Sequence, residues 1–303
     1  MTAARIAISG SSGLVGSALA VSLDREGHEV VRLVRREPRR HDELLCDPAT
    51  GRIDTAGLEG LEAVVHLAGE NIASSRWSPS QKERIRASRV DGTRRLADSL
   101  VGLSRPPATL ICASAVGYYG DRGDERLDEA SAPGSGFLPE TCVAWEAAAD
   151  PARRAGIRVV TLRIGVVLSA EGGALARMLT PFRLGLGGRL GHGRQRMSWI
   201  TLEDLIRVIR HVLQDRTLHG PVNAVAPQTV TNGEFTTTLG RVLCRPTLLP
   251  LPAALLRLLL GEMGQALLLD GSHVTPERLR QAGFEFRHHA LEPALRSLLD
   301  RAE

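Results

Sequence analysis

Residues Arg5–Arg36 read RIAISGSSGLVGSALAVSLDREGHEVVRLVRR. Ile6, Ala7 and Ile8 form a short apolar run, and Gly10-Ser11-Ser12-Gly13-Leu14-Val15-Gly16 follows at once. Leu14, Val15, Ala18, Leu19 and Leu23 then recur at helical spacing. Gly27 stands where a helix C-cap would, and Val30, Val31, Leu33 and Val34 make a second apolar run. This pattern predicts strand, turn, helix and strand, opened by a GxxGxxG turn. Gly10 lets the chain turn sharply off the strand. Gly13 leaves no Cβ between the backbone and a pyrophosphate, and Gly16 lets the helix pack close to the sheet. Free N–H groups at the helix start favour a dianion. The turn therefore predicts a dinucleotide site with Gly10, Ser12, Gly13, Leu14, Val15 and Gly16 as contacts; the competing reading is a purely structural glycine turn.

The end of the second strand selects the cofactor. An Asp or Glu there would hydrogen-bond the ribose 2′-OH of NAD. This chain has Arg35 and Arg36 instead, with Arg39 and Arg40 just beyond. A guanidinium binds a 2′-phosphate through a charge-assisted fork, so the expectation is NADP(H). A solvated basic loop is the alternative.

Working outward, 303 residues can hold a full α/β core and a smaller lobe. A net charge of +4 is small for this length, and only 3% of residues are aromatic, so base-stacking platforms are lacking. No nucleic-acid partner is expected. Cys46, Cys112, Cys142 and Cys244 are far apart in sequence and form no CxxC, which predicts reduced thiols and no metal site. The chain enters a strand directly, without the pattern of a signal peptide. The most apolar segment, Leu251–Leu269, is interrupted by Arg257, Glu262 and Gln265. The expectation is a cytoplasmic protein with no membrane partner and a small-molecule substrate.

Ala63-Val64-Val65-His66-Leu67-Ala68-Gly69 reads as the next buried strand, and its small residues at the carboxyl end let a cofactor lie close. Asp47 is a candidate for the adenine edge or, before Pro48, a turn residue. A helix is predicted from Pro79 to Leu103, with Glu83, Arg86 and Arg89 on a face toward the cofactor or in an ordinary charge ladder. A strand ending at Ser114 precedes Tyr118-Tyr119-Gly120. A helix from Glu140 to Gly156 and a strand from Arg158 to Leu168 complete the alternation. The fold class predicted is α/β, a Rossmann-like doubly wound parallel sheet spanning 1–168, with a smaller C-terminal substrate lobe over 169–303. Those bounds are approximate, since later segments can return to the sheet. Arg183, Arg189, Arg194 and Arg196, in a Gly-rich segment, suit either a phosphorylated substrate or a flexible surface loop.

These residues resemble an extended short-chain dehydrogenase/reductase. The likeness rests on the Gly10/Gly13/Gly16 turn, His66-Leu67-Ala68-Gly69, Arg89-Val90-Asp91-Gly92-Thr93, Ser114 before Tyr118-Tyr119-Gly120, Leu162-Arg163, and Trp199-Ile200 with Asp204-Leu205. HLAGENI, SAVGYYGDRGDE, WEAAA, PFRLGLGG and NAVAP are similar to a narrower branch, described as sugar-nucleotide epimerase-like, with its own short C-terminal region. The resemblance implies an NADP(H) Rossmann fold. It places cofactor contacts at Gly13, Leu14, Val15, Arg35, Arg36, His66, Leu67, Ala68, Glu83, Arg89 and Val166; Gly69 completes the strand-end motif.

One departure from the family is certain. Its chemistry rests on a Tyr-x-x-x-Lys pair, yet Lys82 is the only lysine and Tyr118 and Tyr119 the only tyrosines. Counting back from Glu146, the pair's positions fall near Leu138 and Cys142. Ser114, Tyr118 and Tyr119 remain as candidate catalytic residues, a phenol near Arg122 or Arg163 having its pKa lowered; Glu70 and Glu140 are further acid/base candidates. Two functions follow. One is an NADP(H)-dependent oxidoreductase or epimerase acting on a small polar substrate, nucleotide sugars included. The other is an NADP(H)-binding sensor without turnover.

Overall fold

The computed structural model describes residues 3–300. Eight strands share one sheet: β1 (Arg5–Ser9), β2 (Glu29–Val34), β3 (Glu43–Asp47), β4 (Arg52–Ile53), β5 (Ala63–His66), β6 (Thr109–Ala115), β7 (Arg158–Ile164) and β8 (Gly220–Ala224). Their spatial order is β8-β7-β6-β5-β1-β2-β3-β4. All neighbours are parallel except β3 and β4. The strand order reverses between β1 and β5, so a ligand crevice is expected at their carboxyl ends.

Both faces of the sheet are covered, which is why its strands read as continuous apolar runs rather than alternating ones. Ile6 and Ile8 enter one core with Leu19, Leu23 and Ile209. Ala7 enters the opposite core with Val64, Leu96 and Leu110. The helices that frame the site are α1 (Leu14–Arg25), α2 (Pro79–Val101), α3 (Phe137–Ala147), α4 (Gly173–Arg183) and α5 (Leu202–Gln214); Asn232–Val242, Ala253–Leu260 and Leu291–Asp300 are helical further along the chain. Ser78 caps α2 and Thr201 caps α5 through side-chain oxygens. The start of α1 has no side-chain cap and no acidic residue in its first turn.

Several boundaries differ from the sequence expectation. The helix expected from Glu140 to Gly156 is two helices, α3 and Asp150–Arg154, because Pro151 begins a new first turn. The strand expected to run to Leu168 stops at Ile164. Val166–Leu168 then pairs with Trp199–Thr201 in a separate two-stranded sheet. Gly283–Phe286 contains no strand. The chain beyond residue 168 also re-enters the Rossmann layer. β8 lies beside β7 at the sheet's edge, where Pro221 is tolerated, and α5 packs beside α1. The lobe proper is thus assembled from discontinuous segments; the expected outer bounds, residues 1–2 and 301–303, lie outside the described residues.

The Gly-rich segment is not a loop wrapped around open space. A Cβ at Gly188 would stand 1.8 Å from the Leu249 carbonyl oxygen, so this glycine lets two backbones touch. Leu190 bridges to Leu251 beside it. No described helix is long and apolar enough to cross a membrane.

Candidate functional site

At the switch point, Gly10 has φ +68°, the left-handed conformation that its turn requires. The Gly13 N–H donates to the Gly10 carbonyl at 2.9 Å. The first helical bond of this turn runs from Ser17 N–H to Gly13 O, so the N–H groups of Leu14, Val15 and Gly16 head an uncapped helix. Ser12 and Gly13 are exposed above them. The uncapped start of α4 lies against the same turn, its Gly172 and Gly173 Cβ positions 3.4 Å from Leu14. This is the geometry of an anion cradle, and a dinucleotide diphosphate fits it.

The flank of the cradle is fixed by Ser9. Its hydroxyl accepts from the Leu67 and Ala68 N–H groups at 3.1 and 3.2 Å and sits 2.7 Å from His66 Nδ1. With both backbone donors arriving at Ser9, its proton goes to Nδ1, so His66 carries its own proton on Nε2. Nε2 is buried without a partner among the described residues. Burial lowers His66 to about 4. The unfolded imidazole titrates near 6.5, so between those values the unfolded chain binds more protons. Stability is therefore expected to fall as pH drops from about 6.5 to about 4, by roughly 3 kcal/mol from this group. Urea melts at pH 7 and pH 4.5 on the wild type and on His66→Gln check this: the pH difference should shrink in the variant.

At the end of β2, Arg36 forks onto Glu43 with bonds of 2.9 and 2.7 Å, and the Arg39 N–H joins the same carboxylate at 2.8 Å. Those bonds hold Glu43 down to about 2. Arg35 is exposed and makes no ion pair among the described residues. The two arginines, alike in the sequence, are thus in different states.

A cavity of about 1680 Å³ opens beyond the carboxyl ends of β6 and β7. Ser114, Arg89 and Val166 line it, together with Leu138, Cys142 and Trp145. Arg89 stacks over Trp145 at 5.0 Å, donates to the Glu70 and Ile85 carbonyls, and comes within 3.5 Å of a Cβ built on Gly69. It joins the cradle side of the site to the cavity. Glu83 is exposed and does not line the cavity. It lies two residues from Ile85, which does, and a separation of two residues carries a helical side chain to the opposite face.

Neither tyrosine lines the cavity. Tyr119 is fully buried, its hydroxyl 2.7 Å from Asn223 Oδ1, 2.9 Å from the Asp128 carbonyl and 3.0 Å from Arg163. Burial outweighs the nearby guanidinium and pushes the phenol up to about 12. Tyr118 lies with its ring face 3.4 Å from the Arg163 guanidinium carbon. The expected lowered phenol pKa is therefore reversed at Tyr119, and both rings brace Arg163 instead.

Glu146 is the residue that sequence reading used only as a landmark. Leu138, Cys142 and Glu146 follow at intervals of four on one face of α3, so the face that would carry a Tyr/Lys pair ends in a carboxylate. Ser114 Oγ donates to Glu146 Oε1 at 2.7 Å, and Arg163 forks onto both carboxylate oxygens at 2.8 and 2.9 Å. Arg163 is 3% exposed. Ser114 thus spends its one proton on Glu146 and keeps its lone pairs for a ligand. The WEAAA phrase carried this signal, but only folding brings Arg163 opposite it.

A doubly wound sheet with a glycine turn at its switch point, and a lobe closing over its carboxyl edge, is the architecture of the extended short-chain dehydrogenases/reductases. The chain belongs to the NAD dependent epimerase/dehydratase family, whose model matches residues 6–225. A domain of unknown function, DUF1731, matches 251–298. An epimerase family protein of Mycobacterium tuberculosis is 47% identical over 295 residues, 97% of each chain. The crystal structure of human epimerase family protein SDR39U1 with NADPH is similar with a TM-score of 0.88 and 34% identity, covering 98% of this chain and 99% of that one. A nucleoside-diphosphate sugar epimerase from Corynebacterium glutamicum has a TM-score of 0.82 and 37% identity, covering 98% of this chain but 58% of that one.

Proposed function

We propose that this protein is an NADP(H)-dependent oxidoreductase or epimerase in which Ser114 and Glu146 take over the proton transfer that the family assigns to Tyr and Lys. The observation that carries the reading is a buried Ser114–Glu146–Arg163 chain at the sheet edge, beside an uncapped helix start suited to a diphosphate. The NADPH in the human relative supports the choice of cofactor. Bound NADP(H) supplies a two-electron hydride acceptor or donor. Leu14, Val15 and Gly16 hold its diphosphate, Arg35 and Arg36 its 2′-phosphate, and Arg89 and Val166 flank the passage to the reacting end. In the oxidation direction, a substrate carbinol gives its hydroxyl proton to Ser114 Oγ while Ser114 passes its own proton to Glu146 Oε1. The carbinol C–H leaves with its electron pair as hydride, and a carbonyl remains. Reduction runs the same path backwards, and return of hydride to the other face yields the epimer with no net use of cofactor.

Titration of NADPH and NADH by nicotinamide fluorescence tests the cofactor assignment. The wild type is expected to prefer NADPH. Arg35→Ala removes the unpaired guanidinium and should cut the preference about tenfold, the size of one charge-assisted bond. Arg36→Ala should also lower it, by leaving the Glu43 carboxylate near the phosphate. Equal affinity for both nucleotides in the wild type would sink the 2′-phosphate assignment.

Leu138 and Cys142 on the cavity wall, at the positions of the missing pair, favour a second reading: an NADP(H) sensor without turnover. A substrate screen under saturating cofactor separates the two, since a sensor binds NADPH yet shows no hydride exchange with any compound.

A further inference from the structure

The charges around the cavity are arranged against a diphosphate-linked substrate. Arg122 is forked onto Glu125 at 2.7 and 2.9 Å, and Arg196 is bound to Asp124 at 2.6 Å. Arg177 donates to the Ala73 carbonyl and Arg89 to the Glu70 and Ile85 carbonyls, so both keep their charge; Arg89 lies on the cofactor's side of the cavity. Asp121 and Asp270 line the same space, as does Glu262, which is ion-paired with Lys82. Burial raises Asp270 above the usual carboxylate range, with Asp121 adding to the rise. A nucleoside diphosphate brings at least two negative charges and needs unpaired donors to receive them. The uncapped start of α4 is such a donor, but it lies against Leu14, at the cofactor's turn.

Much of the remaining wall is apolar. Trp77, Phe137, Phe182, Leu186, Leu251 and Leu267 supply much of it. It also continues outside: Leu186 and Leu249 line the cavity and are 57% and 54% exposed, and their chain neighbours Leu184 and Leu248 are 69% and 81% exposed. A Cβ at Gly188 would overlap the Leu249 carbonyl, so these two segments meet at the rim. Exposed apolar surface running into a cavity marks a ligand's path. Buried polar side chains in the wall are largely engaged by the protein: Ser198 donates to the Ser272 carbonyl and Asn232 accepts from the Leu190 N–H. Gln195 gives its amide N–H groups to the Leu190 and Leu268 carbonyls at 3.0 and 2.8 Å, which leaves Oε1 buried and without a partner among the described residues. It accepts from a hydroxyl or amide N–H and repels an anion.

We propose that the substrate is a neutral molecule with an extended apolar body and the reacting carbinol or carbonyl at one end, and not a nucleoside diphosphate sugar. This rests on the NADP(H) chemistry proposed above for the same cavity. The apolar body lies along the Phe182–Leu186–Leu251 wall, and the reacting end reaches Ser114.

Calorimetric titration of the full chain, saturated with NADP+, tests it with a methyl ketone series from butan-2-one to octan-2-one and with UDP-glucose. Affinity is expected to rise about fourfold per added methylene, and UDP-glucose is expected neither to bind nor to displace octan-2-one. The double variant Leu186→Glu/Leu249→Glu, at exposed positions that tolerate charge, should weaken octan-2-one at least tenfold while NADP+ affinity stays as in the wild type. A flat dependence on chain length, or displacement of the ketone by UDP-glucose, overturns the proposal. The series is repeated without cofactor. Failure of NADP+ to bind then overturns the cofactor assignment alone, and the chain-length slope still decides the substrate class.

Discussion

Glu146→Gln is expected to abolish turnover and to destabilise the protein by roughly 3–5 kcal/mol, the cost of leaving a buried charge without its partner. The orphaned group is Arg163, whose side chain is 4% exposed against 14% for Glu146. The guanidinium would keep its bond to the Tyr119 hydroxyl and its stacking on Tyr118, but neither neutralises it. Such a loss of stability confounds any activity measurement, so the informative variant is Glu146→Gln with Arg163→Met. Replacing both members of a buried pair by groups of similar volume is often nearly neutral. The double variant should therefore melt close to the wild type in urea and bind NADPH normally, yet show no hydride exchange, because Ser114 has lost its proton acceptor. Glu146→Asp should keep the charge and shift the pH profile of any residual rate. If the double variant folds, binds NADPH and turns over at the wild-type rate, the carboxylate is structural and the proton path through Ser114 is wrong.

Gly16→Ala is expected to cost about 1–3 kcal/mol or more through overpacking and to lower NADPH affinity by more than tenfold. A Cβ there would stand 2.2 Å from the Gly10 carbonyl oxygen and 2.8 and 2.9 Å from Gly10 C and Ser11 Cα. All three neighbours are backbone, and no rotamer change relieves the overlap. The turn must open, which moves the N–H groups of Leu14 and Val15. Gly13→Ala is the informative contrast. Its backbone, at φ −82° and ψ 170°, suits alanine, and the only atom near a new Cβ is the Gly10 oxygen at 3.3 Å. Stability should hardly change, while the methyl group projects into the space of the diphosphate and NADPH affinity falls. Urea melts and NADPH titrations on both variants separate the two glycine roles. Equal loss of stability in both would show the turn to be structural throughout.

Much of the fold was legible because the relevant signals are local. Ile6 to Val34 carry apolar runs, a glycine turn and helical spacing within thirty residues, and a turn that needs φ > 0 at Gly10 advertises itself in any context. That later segments could return to the sheet was legible, but not that β8 and α5 are the ones that do. β8 is an edge strand with a proline and a buried Asn223, and its identity comes from pairing with β7 and bonding to Tyr119 rather than from its own pattern. The same distinction divides the site. The Gly10–Gly16 cradle and the Ser114 strand end were readable from spacing.

The residues of this chain determined by themselves that no Tyr-x-x-x-Lys pair exists, since a side chain that is absent cannot be supplied by folding. They also determined that a dinucleotide turn opens the sheet. Only the tertiary structure decided what fills the gap. Ser114, Glu146 and Arg163 come from three separate elements. Whether a tyrosine is a proton donor or a strut, and whether an arginine is free or already forked onto Glu43, depends on burial and on partners distant in sequence. Ionisation and hydrogen bonding are properties of an environment, and that environment exists only once the chain has closed around it.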